Sequence, residues 1–237
     1  MCALFKPLAL AIGAVCFRIC FKPPAPPLNP ENAYTGNLFE RLMHPVVFFL
    51  RKSAFTLFMT DISFHIASAL PQTSQIKQLI DIGPYFQPAT SHPHVVTPVF
   101  VLGFTISLLS TALRVWSYKT LGNLFTFEVT LKPSSSHTLV TSGPYAYTRH
   151  PGYLGVLAVE IGVAMMLLAD HGWIRECKIM ATPLGVFIVT WLGTLSWVSY
   201  SLWRRIEVED RTLKATFGSA WETYAQAVPY KLIPGVY

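Results

Sequence analysis

Residues 96–116 form an apolar run of about the twenty residues needed to cross the hydrocarbon core of a bilayer. Such a run constrains the fold sharply, because backbone N–H and C=O groups in hydrocarbon must find partners within the protein, and a single segment does so as a helix. Further apolar blocks lie at 4–21, 38–70, 153–169 and 180–203. Together they predict an all-α polytopic membrane bundle of about five transmembrane segments. Composition agrees with this. Hydrophobic residues make up 52% of the 237 and charged residues only 13%, where a soluble domain has about a quarter.

The blocks carry internal detail. Lys6 and Arg18 interrupt the first, which reads as a membrane helix or an embedded anchor. Residues 22–27, K-P-P-A-P-P, are an extended linker of polyproline type. The 38–70 block holds Arg51, Lys52 and Asp61 and reads as one tilted helix or as two shorter pieces. Asp61 and His65 stand four apart and share a helical face, either lining a cavity or satisfying each other. Gly103, Ser107, Ser110 and Ala112 permit close helix packing, and Gly155, Gly162, Gly185 and Gly193 predict that the last two membrane segments pack as a hairpin. Arg114, Trp116, Tyr118 and Lys119 mark an interface.

A net charge of +6 is explained by basic residues at membrane edges, and no nucleic-acid-binding module is present, so nucleic acid is not an expected partner. Of the four cysteines, three lie in the first twenty residues and none joins a set with zinc-ligand spacing, so no metal is expected. His92–Pro93–His94 reads as loop. After Trp203 the chain becomes a charged amphipathic helix over 204–224. Its Arg204, Arg205, Arg211 and Lys214 place this end in the cytoplasm by the positive-inside rule, and the hairpin then puts 117–150 on the same side.

The most chemically loaded stretch is 143–155, G-P-Y-A-Y-T-R-H-P-G-Y-L-G. Gly143–Pro144 reads as a turn, and Pro151 suits the first position of a helix. The N–H groups of Gly152, Tyr153 and Leu154 would then be free at a positive helix end, ready for an anionic group. Arg149 and His150 stand just before it. A plainer reading makes Arg149 a headgroup anchor, His150 a cap and the tyrosines an aromatic belt.

The run 143–155 resembles the G-P-Y-x-Y-x-R-H-P-x-Y-x-G signature of the isoprenylcysteine carboxyl methyltransferase family. Residues 207–224, E-V-E-D-R-T-L-K-A-T-F-G-S-A-W-E-T-Y, are similar to the E-x-x-x-L-x-x-x-F-G-x-x-[YW]-x-x-Y segment that closes the same family, and 228–235, V-P-Y-K-L-I-P-G, to its V-P-x-x-L-I-P-G tail. With Leu121–Gly122, these matches cover the C-terminal half, so 96–237 is taken as the methyltransferase core and 1–95 as poorly matched membrane helices and loops.

The resemblance implies transfer of a methyl group from S-adenosylmethionine to the C-terminal carboxylate of a prenylated cysteine in CaaX-processed proteins. It implies an endoplasmic reticulum membrane, with the cofactor-binding region facing the cytoplasm. Arg149 and Arg205 are the implied catalytic residues, with Arg149 orienting the substrate carboxylate. Tyr145, His150, Gly152, Tyr153, Leu154, Arg205 and Glu209 are the implied cofactor-binding set: Glu209 takes the ribose or amino group, Arg205 fixes Glu209 or a carboxylate, and Tyr145, Tyr147 and Tyr153 face the sulfonium. The signature is shared with phospholipid N-methyltransferases and some membrane reductases. A phospholipid N-methyltransferase or a non-catalytic membrane relative therefore remain alternatives.

Overall fold

The computed structural model describes residues 2–22, 38–71, 74–75, 85, 95–125 and 138–236. The polyproline residues 23–27 and the His92–His94 pair lie outside them. Among the described residues the chain is helical. α1 spans Cys2–Phe21, α2 Leu38–Ala69, α3 Pro98–Leu121, α4 Pro151–Leu168, α5 Trp173–Glu176, α6 Leu184–Phe217 and α7 Ser219–Ala227. The five long helices α1–α4 and α6 each have the length and hydropathy to cross a membrane. Phe48, Leu109 and Val186 stand 61%, 66% and 69% exposed on them. Side chains of this kind, exposed in such numbers, are at home against lipid rather than water.

Two sequence expectations are settled by helix continuity. The 38–70 block is one helix of 32 residues with Pro45 inside it. The charged segment after Trp203 is no separate helix, because α6 runs unbroken for 34 residues. At about 1.5 Å per residue it exceeds a hydrocarbon core of about 30 Å, so its charged end extends beyond the apolar layer. A change from apolar to charged side chains leaves the backbone ladder intact. What ends α6 is Gly218, at φ +53°, a conformation that side chains disfavour.

The chain forms two compact units. The first comprises Met1–Ile19, Phe48–Leu108 and Ala158–Leu195. Within it α3 and α4 pack with small residues in contact. A Cβ on Gly162 would lie 2.5 Å from Ser107 Oγ and 2.7 Å from the Gly103 carbonyl. The unit also buries charge. Lys6 Nζ donates to the His171 carbonyl at 2.7 Å, Asp61 accepts the Trp173 N–H at 2.8 Å, and His65 Nε2 lies 3.4 Å from Asp61. Asp61 thus serves the Trp173 backbone, with His65 beside it at ion-pair distance. Residues 171–178 include α5, which buries Trp173, Ile174 and Glu176. Cys177 is buried here too, and that burial pushes its thiol up to about 12, with Glu176 and Asp61 adding to the effect.

The second unit comprises Cys20–Val47, Leu109–Leu157 and Ser196–Tyr237. Here again α4 packs on α3, and a Cβ on Gly155 would lie 2.9 Å from the Ser110 carbonyl. The glycines of α4 thus face α3. Gly193, which the sequence assigned to a hairpin seam with them, has nothing within 4 Å of its would-be Cβ. Arg114, expected at an interface, is buried, and its Nη1 donates to the Gly152 carbonyl at 3.1 Å. A Cβ at Gly152 would stand 2.9 Å from the same nitrogen and would push the guanidinium aside.

Candidate active site

The second unit holds a cavity of about 210 Å³. Its polar wall is built by the signature loop and α4. Gly143, at φ +61°, opens the tight turn Gly143–Ala146, and a Cβ there would meet Thr120 Oγ1 at 3.0 Å. The chain then runs beside the C-terminal tail. Arg149 N–H donates to the Tyr230 carbonyl at 3.0 Å, His150 N–H to the Lys231 carbonyl at 2.9 Å, and Thr148 Oγ1 to the same Lys231 carbonyl at 2.8 Å. Tyr224 of α7 adds a bond from its hydroxyl to the Tyr145 carbonyl at 2.8 Å. Through these bonds the tail fixes the backbone that presents Arg149 and His150.

His150 ends the loop and caps α4. Its carbonyl accepts the N–H of Tyr153 at 3.1 Å and of Leu154 at 3.2 Å. The expectation of free N–H groups at Tyr153 and Leu154 is therefore corrected, because the first turn closes tightly on the residue before Pro151. Gly152 and Tyr153 line the cavity. Leu154 is not part of its wall, and Tyr147 points away from it, 66% exposed.

The side chains of the loop meet the charged half of α6. The His150 ring, 3% exposed, donates from Nε2 to Asp210 Oδ1 at 2.9 Å, with Nδ1 3.9 Å from Glu209 Oε1. It stacks on Tyr153 with centroids 5.7 Å apart and planes at 10°. The Tyr153 hydroxyl donates to Glu209 Oε2 at 2.5 Å, a short charge-assisted bond. Arg149 lies 3.5 Å from Asp210 Oδ2, donates to the Pro229 carbonyl at 3.4 Å, and stacks 5.6 Å over Trp221. Its Nε is buried without a hydrogen-bond partner among the described residues. Arg205 stands 5.8 Å over the Tyr153 ring, and Glu40 of α2 lies 3.5 Å from its Nη1.

Arg149, His150, Tyr145, Gly152, Tyr153, Arg205 and Glu209 all line this one cavity. Much of the remaining wall is apolar, with Phe39, Met43, Val47, Val156, Val198 and Leu202, and Arg114 joins the polar part. The tyrosines are held neutral. Burial, helped by Glu209 and Tyr224 and opposed by Arg114, pushes the Tyr145 phenol well above its ordinary value. Burial likewise pushes Tyr224 up to about 12, with Asp210 adding and Arg149 opposing. Chemically the cavity offers the Glu209 carboxylate, the three guanidiniums of Arg114, Arg149 and Arg205 and aromatic faces, with a hydrocarbon-like surface beyond.

Three participants carry no signal that sequence reasoning used. Asp210 is hidden in an acidic run beside Glu209, Arg114 sits among interfacial residues, and Glu40 lies near the start of an apolar block. The last had a usable clue, since an acid inside a membrane helix demands a partner. Arg205, expected to fix Glu209 or a carboxylate, has the Glu40 carboxylate at 3.5 Å.

Residues 101–215 match the family described as isoprenylcysteine carboxyl methyltransferase. The chain is 31% identical over 143 residues to the protein-S-isoprenylcysteine O-methyltransferase of Schizosaccharomyces pombe, over 56% of this chain and 52% of that one. It is 30% identical over 147 residues to the Tribolium castaneum protein of the same name, over 62% and 45%. For the Homo sapiens protein of that name the figures are 31% over 140 residues, 56% and 41%. The chain spans about half the length of the curated relatives it matches. The matched stretch takes in most of α3, the signature loop, α4 and nearly all of α6, so the residues that build the cavity's polar wall fall within the similarity to the isoprenylcysteine carboxyl methyltransferase family.

Proposed function

We propose that this chain is an integral membrane methyltransferase that moves a methyl group from S-adenosylmethionine to the C-terminal carboxylate of a prenylated cysteine. One observation carries the reading: a single cavity joins a charged, aromatic end to an apolar wall. A nucleotide-derived methyl donor and a greasy chain ending in a carboxylate need that combination. The names of the relatives support it. On this reading 96–237 is the methyltransferase core, and 1–95 supplies apolar wall through Phe39, Met43 and Val47.

The residues fit the donor. Glu209 has a second carboxylate oxygen beyond the one bonded to Tyr153, suited to ribose hydroxyl or amino groups. The face of Tyr145 suits a cation, while the Tyr153 ring already carries His150 and Arg205 and acts through its hydroxyl. When bound, S-adenosylmethionine supplies an electrophilic methyl group on a sulfonium. The substrate α-carboxyl, with an ordinary pKa of about 3.5, needs no base at neutral pH. The protein's work is alignment and exclusion of water, which together contribute about 7–11 kcal/mol when geometry is right. Arg149 orients the carboxylate, and its buried, unpartnered Nε supports that role. His150 and Gly152 complete the donor site beside Tyr153. Arg205 supplies the second cation at the junction of polar and apolar walls. The resemblance to the family suggests the endoplasmic reticulum as its membrane, and the basic residues at the end of α6 turn the site toward the cytoplasm by the positive-inside rule. Its partners are then prenylated CaaX-type termini reached from the bilayer. Leaving the isoprenoid in an apolar medium avoids a cost of about 0.8 kcal/mol per CH₂.

The test is transfer of labelled methyl by the purified protein in lipid discs, to N-acetyl-S-farnesylcysteine and separately to phosphatidylethanolamine. Label in the farnesylcysteine ester supports the proposal. Label in phospholipid alone replaces it with an N-methyltransferase, whose ammonium nucleophile must first lose a proton.

A further inference from the structure

Glu40 lies outside the stretch that matches the family and is not itself part of the cavity wall, yet it reaches Arg205, which is. It belongs to the first turn of α2 and is 8% exposed. Its side chain meets Arg205, which is 4% exposed, at 3.5 Å. Met43, one turn further along α2, accepts from Arg205 Nη1 through its sulfur at 3.3 Å. One short piece of α2 therefore grips the guanidinium from one side, while the Tyr153 ring lies beneath it at 5.8 Å. Tyr153 in turn holds Glu209.

We infer that Glu40 is a positioning residue for the methyl-transfer site, acting through Arg205. This rests on the function proposed above. The physical argument concerns where a buried guanidinium goes when it has a choice. Two carboxylates lie within its neighbourhood, Glu40 on α2 and Glu209 one turn along α6. Removing one member of a buried ion pair leaves the other less well compensated, and the groups that remain beside Arg205 are Tyr153 and Glu209. With Glu40 in place, Arg205 is drawn toward α2 and Glu209 remains available to Tyr153 and the donor. Without it, Arg205 turns to Glu209 and blocks the group expected to receive the donor. Glu40 thus keeps a cation and an anion of one site from neutralising each other. It also ties α2, which carries Phe39, Met43 and Val47 of the apolar wall, to the helix that carries the acidic residues.

The experiment uses the full chain in lipid discs, with Glu40→Gln, Glu40→Asp, Arg205→Met and the double variant Glu40→Gln/Arg205→Met. S-adenosylhomocysteine affinity is measured by calorimetry, and reactivity of Arg205 toward phenylglyoxal by peptide mass spectrometry. For Glu40→Gln the expected results are an affinity about tenfold weaker, since only part of the cost of breaking a buried pair falls on binding, and a rate of Arg205 modification changed by at least threefold as the guanidinium leaves α2. Glu40→Asp restores at least part of both. The double variant binds S-adenosylhomocysteine no worse than Arg205→Met alone, because Glu40 has nothing left to position. An affinity within twofold of wild type for Glu40→Gln, or a double variant worse by the product of the two single effects, overturns the inference. A lowered melting temperature with unchanged affinity does the same, since it marks a purely structural acid. The arginine reactivity separates this outcome from failure of the functional reading. If the wild-type protein binds no S-adenosylhomocysteine, the function falls, while unchanged Arg205 reactivity in Glu40→Gln removes Glu40 on its own.

Discussion

Asp210 offers the sharpest test of how the site is assembled, because one carboxylate holds both signature side chains. Oδ1 accepts from His150 at 2.9 Å and Oδ2 faces Arg149 at 3.5 Å, with side-chain exposures of 3% for His150, 10% for Arg149 and 11% for Asp210. At that burial the solvent screening that weakens surface pairs is largely absent. A hydrogen bond to a charged group contributes about 1.5–3 kcal/mol, and a buried donor left without a partner adds to the loss. Arg149 keeps the Pro229 carbonyl and the Trp221 face, so its share is the smaller one. Asp210→Ala should therefore lower kcat/KM for methyl transfer by roughly 10- to 150-fold, the range those energies convert to. Asp210→Asn keeps an oxygen for His150 and loses only the charge facing Arg149, so its loss should be smaller. The assay is initial-rate transfer of labelled methyl to N-acetyl-S-farnesylcysteine, with a thermal melt of each variant to show that it is folded. A folded Asp210→Ala protein within twofold of wild type would refute the reasoning that this acid organises the loop.

Two further outcomes follow from the packing. Tyr224→Phe removes the bond to the Tyr145 carbonyl and should cost about 1 kcal/mol of stability at neutral pH. Tyr224 titrates at about 12 in the fold, above an ordinary value of 10, so its contribution is complete below pH 10 and is lost as pH rises toward 12. The difference in melting temperature between wild type and variant should shrink across that window, and a difference that grows there contradicts the assignment. Gly162→Ala brings a methyl group within 2.5 Å of Ser107 Oγ and 2.7 Å of a backbone carbonyl, and should destabilise by about 1–3 kcal/mol. Gly193→Ala meets nothing and should be neutral or stabilising by up to about 1 kcal/mol, since alanine favours helix. Melting curves showing the opposite order would mean that α4 does not pack on α3 as described.

What the sequence made legible was local chemistry. Apolar length announces membrane helices, and glycine, proline and the Arg149–His150 pair announce a turn leading into a helix. The loop and the tail were each recognisable, but not their adjacency. The bonds from Arg149 and His150 N–H groups to Tyr230 and Lys231 carbonyls join residues 81 apart in sequence, and backbone groups leave no mark in a residue pattern. Partner choice was likewise opaque. A glycine on a membrane helix permits close approach without naming the helix that approaches, which is why Gly155 and Gly162 face α3 and not α6. Arg205 lies four residues from Glu209 on one helix, a spacing that suggests a pair, yet Glu40 on a distant helix stands within ion-pair distance. Helix periodicity sees only its own chain segment.

The central claim is that one cavity in the second unit receives both the methyl donor and the prenyl chain. The direct measurement is photocrosslinking of the full protein in lipid discs with a farnesylcysteine analogue carrying a diazirine on its isoprenoid, mapped by peptide mass spectrometry with and without S-adenosylhomocysteine. The account predicts label at Phe39, Met43, Val47, Val198 or Leu202, retained when S-adenosylhomocysteine is bound. Label confined to lipid-exposed residues such as Leu109 or Val186, or displaced wholly by S-adenosylhomocysteine, would contradict it.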